Sequence, residues 1–307
     1  MHQDQPVEAV AADQALTETP DAAAPAGIYR FTSIGRPLDP AWLSNKAVLL
    51  LLPIAALGGL VSAWSGGQPF GTSCVAGLVA ALSVFGTWAL GRELLPDDHA
   101  AAFVSMALGF LAALSYQTPG LLPLFSSIAL VRIVNRSTGL MPRYGDSALV
   151  VMLVIFAIYQ SGRPWLGAVA ALAFFLDGVL RRPAKKQWLF ALISFGAMVV
   201  YMVDHDVVWW QAMNPDSLVE WLAVLALLLL TFSAVGLKKV HARGDIGQAR
   251  LDVDRVRGGM AIGILATLLC LDAMPQAILL VSTIAGLGLG ITFRRAFRKP
   301  TKGLRAS

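Results

Sequence analysis

Charge is scarce in this sequence. Only 14% of its 307 residues are Asp, Glu, Lys or Arg, against roughly 25% in a typical soluble domain. The deficit excludes an ordinary water-soluble globule, because 56% of the residues are hydrophobic and they gather in serial runs that have no stable place in water. Cysteine is nearly absent as well. Cys74 and Cys270 each lie inside an apolar run, with no Cys-x-x-Cys pair, so neither a disulfide framework nor a zinc centre is indicated and no metal or cofactor is expected. The N-terminus lacks a basic region followed by an apolar one. Residues 1–29 instead hold Asp4, Glu8, Asp13, Glu18 and Asp21 in an Ala/Pro/Gln-rich setting, which reads as a disordered tail rather than a signal peptide.

What is present is a succession of ten apolar segments, near 47–64, 70–90, 100–115, 121–134, 147–160, 165–180, 187–203, 218–237, 258–271 and 275–293. A spanning helix wants roughly 17–25 apolar residues, so 121–134, 147–160 and 258–271 are short. The basic residues argue for them. With the N-terminus inside, of 24 Lys and Arg residues only Arg163 falls on the outer side, as the positive-inside rule requires. If 121–134 failed to cross, every later loop would change sides and the asymmetry would weaken. The expected fold is therefore all-α, a polytopic transmembrane bundle of about ten spans with both termini cytoplasmic, in a cell membrane such as a bacterial inner membrane. Its divisions are a disordered tail over 1–45, the bundle over 46–293 and a basic tail over 294–307. The net charge of +5 is spread among inner loops, which fits anionic lipid headgroups and not nucleic acid.

Few polar residues interrupt the hydrocarbon. Asp177 is expected near the inner end of its segment, where a carboxylate costs about 2.5–3.5 kcal/mol at mid-bilayer. It reads either as an interfacial ion pair with Arg181, four residues on, or as a substrate or proton site. Arg132 and Arg136 are also four apart, and a second inner loop at 91–99 carries Arg92, Asp97 and Asp98. Together they could clamp a phosphate bidentately, or they could serve as headgroup anchors. Asp97, Asp98 and Asp146-Ser147 also suit helix N-caps, and Ser217-Leu-Val-Glu220 reads as a capping box. Asp204-His205-Asp206 is the one metal-like cluster, but adjacent residues do not share a helix face. Asn135-Arg-Ser137 matches a glycosylation sequon that its predicted cytoplasmic side disfavours. Gly259/Gly263 and Gly286/Gly290 have helix-packing spacing.

Ten spans with both termini inside are similar to the drug/metabolite transporter architecture in helix count and orientation. That resemblance implies a small-molecule substrate. Asp252-Val-Asp254-Arg255 matches part of a membrane prenyltransferase motif whose partner motif is absent. Gly178 and Arg181 after Asp177 do not complete the signature of phosphatidyl-alcohol transferases. Three functions stay open: a small-solute transporter or exporter using Asp177 and the arginines of 121–136; an enzyme or binding protein for phosphorylated lipid using Arg92, Arg132, Arg136, Asp97 and Asp98; and a non-catalytic scaffold subunit. No catalytic residue set is identified.

Overall fold

A computed structural model describes residues 27–116, 119–207, 217–271 and 274–297. Among them are ten α-helices: α1 (Leu43–Ser65), α2 (Phe70–Leu94), α3 (His99–Ser115), α4 (Leu121–Asn135), α5 (Tyr144–Ser161), α6 (Trp165–Val179), α7 (Gln187–Asp204), α8 (Leu218–Val235), α9 (Val253–Leu268) and α10 (Met274–Phe297). Apart from an isolated bridge between Arg243 and Arg250, the described residues contain no β-structure. Six helices, α1, α2, α5, α7, α8 and α10, are long and apolar enough to cross a membrane, which fits an integral membrane protein.

Each predicted segment corresponds to a helix, but the boundaries move. The ninth begins earlier than expected, at Val253, because Asp252 caps it through the amides of Asp254 and Arg255. The fifth starts at Tyr144, and its extra turn makes it long enough to span. Of the proposed caps, Asp98 accepts from the Ala101 amide and Ser217 forms a full capping box with Glu220. Asp97 and Asp146 are used differently, as described below.

The helices differ widely in burial. In α1 and α8 only 17% and 22% of the apolar window is buried, against 67% in α10. The peripheral helices thus present apolar surface outward, while α10 packs beside α3, α8 and α2. The short α4 and α6, each 15 residues, have buried side chains along most of their length. At 1.5 Å per residue such a helix is about 22 Å long, short of the ~30 Å hydrocarbon core. Helix α4 is enclosed by its neighbours along most of its length, whereas α6 keeps an exposed face at Phe175 and Val179. The glycine pairs serve close packing as expected: a Cβ on Gly286 would strike the Ser105 backbone, and one on Gly290 would strike Ala101. Both contacts join α10 to α3.

Candidate functional site

The starts of α3, α5, α7 and α9 meet the ends of α2, α4, α6 and α10 at one end of the bundle. Hydrogen bonds between Glu93 and Asn135, Ser147 and Gln187, and Arg255 and Val134 tie them there. Two buried carboxylates organise this end.

The first is Asp177, near the end of α6 and 0% exposed. Its Oδ1 accepts from Arg136 Nε and from Arg255 Nη1, both at 2.7 Å. Helix ends leave carbonyls without partners and carry partial negative charge, and the two guanidiniums serve both needs. Arg255 donates to Val134 O at 2.8 Å and to Arg181 O at 2.7 Å; Arg136 donates to Arg182 O at 2.8 Å. Arg136 itself terminates α4 in the left-handed region, with φ 48°, and this turn aims its side chain back at α6. The expected Asp177–Arg181 pair does not form. Helix α6 ends at Val179 and Leu180 is extended, so the four-residue helical spacing is lost; Arg181 instead lies 3.6 Å from Asp252 and is exposed.

The second carboxylate is Glu93, one residue before the end of α2 and 2% exposed. Its Oε1 accepts from Arg132 Nε at 2.9 Å and lies 3.3 Å from Arg36 Nη1. Its backbone carbonyl, one of the free ones at the end of α2, accepts from Asn135 Nδ2 at 2.7 Å. Arg36 reaches in from residues 27–42 and forks onto Asp245 of the 238–252 loop, with Nε to Oδ2 at 2.8 Å and Nη2 to Oδ1 at 2.6 Å. Burial opposes the Arg36 charge, but Glu93 and Asp245 more than offset it and hold its pKa above the ordinary value. Tyr29 donates to Asp245 at 3.0 Å. Burial, and then the charge of Asp245, push its phenol up to about 12.

Residues 27–42, part of the expected tail, cross this end as a strap. Ser33 is buried, and its amide and hydroxyl both donate to Asp146, which therefore holds the strap rather than capping α5. Thr138 donates to Ser33 O, and Arg143 donates to the Arg30 and Tyr29 carbonyls. Residues 1–26 and the tail beyond 297 lie outside the described residues.

Of the expected site residues, Asp177, Arg132 and Arg136 enter the two clusters. Arg92 turns aside to Ser44 Oγ at 3.1 Å and over the Trp88 ring at 5.6 Å. Asp97 accepts from the His241 and Ala242 amides at 2.9 and 2.7 Å, pinning the 238–252 loop. Asp98 lies 3.2 Å from Arg294. Glu93, Arg255, Arg36 and Asp245 are additions. The expected inner loop at 91–99 includes Glu93, but α2 continues to Leu94 and buries it. Among the described residues no group of three His, Cys, Asp or Glu side chains could hold a metal ion; His205 stacks on Tyr201, with ring centroids 4.0 Å apart. Asn135 is buried with its amide nitrogen engaged, so the sequon is inaccessible.

Chemically, the arrangement pairs acids with more than one guanidinium each and turns most donors inward. Asp177 Oδ2 and Asp98 Oδ2 are both buried without a hydrogen-bond partner, and the latter lies 3.2 Å from Arg294 Nη1. The fold and this charged end define a class, a helical bundle with helices long and apolar enough to cross a membrane and with ion pairs gathered at one end. Comparison with protein-family models, with curated proteins and with solved structures finds no match to the chain.

Proposed function

We propose that the chain is a ten-span membrane transporter or exporter of a small solute, with both termini cytoplasmic, and that the charged layer is the closure of its inner end. The observation that carries this reading is the pair of buried carboxylates, Glu93 and Asp177, each joined to two arginines from other parts of the chain. Buried ion pairs contribute little net stability compared with apolar packing of the same volume. Their partners can be exchanged, however, and an alternating closure needs contacts of that kind. The unpartnered Asp177 Oδ2 is the contact available to a proton or solute within the layer.

A phosphate clamp would need guanidinium donors directed outward. Those of Arg132 go to Glu93 and Ile34 O, and those of Arg136 to Asp177 and Arg182 O, which favours the transport reading. The test is flux in proteoliposomes loaded with a panel of radiolabelled small anions, amines and sugars. At least one should move through the native protein, and Asp177→Asn should change its flux about tenfold, the equivalent of 1.4 kcal/mol. Unaltered flux in that variant removes Asp177 from the mechanism. If nothing moves and a stoichiometric partner co-purifies, the scaffold reading replaces transport.

A further inference from the structure

We infer that residues 27–38 form a detachable latch, keyed by Arg36, whose release opens the Glu93 cluster to water while the Asp177 cluster stays shut. Few apolar contacts hold the strap. Ile34 and Leu38 are its apolar side chains packed against the core, and both are only partly buried; Ile28 and Phe31 are 44% and 84% exposed. The remaining attachment is polar. Ser33 sits on Asp146, Thr138 donates to the Ser33 carbonyl, Arg143 donates to Arg30 and Tyr29, and Arg36 forks onto Asp245 while touching Glu93. Segments with few buried apolar contacts open at a small fraction of the global unfolding free energy.

The charges point the same way. Arg36 and Asp245 are each 25% exposed, so water reaches their bond and salt can screen it. Lifting the strap leaves Glu93 with Arg132 as its guanidinium partner and gives its carboxylate a path to solvent. It also frees the Asp245 carboxylate, while the loop itself stays held by Ile246 N on Thr138 O at 2.9 Å and by Asp97. None of these breaks touches Arg136, Arg255 or Asp177. The strap therefore covers one half of the charged layer and leaves the other unaffected. This inference concerns the same end as the proposed closure but needs no solute to move, so the two can fail separately.

The test uses the full-length protein with Cys74→Ala and Ser33→Cys, labelled by a membrane-impermeant maleimide, with buried Cys270 as an internal control. Arg36→Gln and, separately, Asp245→Asn should each raise labelling at position 33 about tenfold or more, as expected when local opening becomes easier. Cys270 should remain unreactive. With Arg36 and Asp245 left native, moving the Ser33→Cys reporter protein from about 0.1 M to about 1 M salt, which shortens the Debye length from ~10 Å to ~3 Å, should raise labelling in the same direction. Unchanged labelling in both variants overturns the latch. So does equal gain at position 33 and at Cys270, because the strap would then unfold only with the core.

Discussion

The Asp177 and Glu93 clusters share one plan and differ in what surrounds them. Each is a buried acid near the end of a helix with two guanidiniums on a single oxygen. At Asp177 both arginines are themselves buried, at 7% and 5% side-chain exposure, and cap carbonyls around the ends of α4 and α6. At Glu93 they are 25% and 18% exposed, and one arrives on a strap from outside the bundle. The difference teaches that a buried acid is only as fixed as its partners. The Asp177 cluster is bound into helix termini, whereas the Glu93 cluster is bound to a segment that can leave.

The largest expected effect breaks the fixed half. Asp177→Ala leaves two buried guanidiniums uncompensated and should cost about 3–5 kcal/mol, seen as a large fall in melting temperature in detergent. Glu93→Gln should cost less, about 1–3 kcal/mol, because Arg36 keeps Asp245 and Arg132 can turn toward water; equal losses in the two variants would erase the contrast between the clusters. Arg255→Lys preserves the charge but not the fork that spans Val134, Arg181 and Asp177. A loss of about 1.5–3 kcal/mol is expected from the hydrogen bonds to a charged donor, and thermal unfolding compared with Arg132→Lys would show which cluster depends on geometry. The smallest effect sharpens the open half. Tyr29 should titrate near about 12 instead of 10, read by phenolate absorbance against Tyr29→Phe. Because the folded pKa is raised, its contribution to strap docking is fully present below pH 10 and is lost as pH rises toward about 12.

Much of the fold was legible because hydrophobic runs and basic punctuation act locally along the chain. The ten segments, the Asp98 cap and the Ser217–Glu220 box needed only spacing. Asp177, Arg132 and Arg136 could be singled out because charges beside hydrocarbon are costly. Their partners could not. Arg255 precedes the ninth apolar segment because the start of α9 is polar, and Arg181 stands in its place on a helical spacing that ends at Val179. Glu93 was hidden by a helix boundary, and Arg36 and Ser33 by the composition of the chain around them. Pairings such as Arg36 with Asp245 join residues far apart in sequence, and only packing brings them together.

The shortness of α4 and α6 has an electrical consequence. Placed in a bilayer, α4 and α6, at about 22 Å each, would leave an insulating layer beside them thinner than the ~30 Å of the surrounding lipid. A transmembrane voltage then falls over a shorter distance there, giving a steeper field along the interior than in the adjacent membrane. Asp177, Arg136 and Arg255 stand at the edge of that thinned region. A charge moved across the full potential changes energy by about 2.3 kcal/mol per 100 mV. A voltage acting there would meet Asp177 already paired with Arg136 and Arg255 rather than as a lone charge.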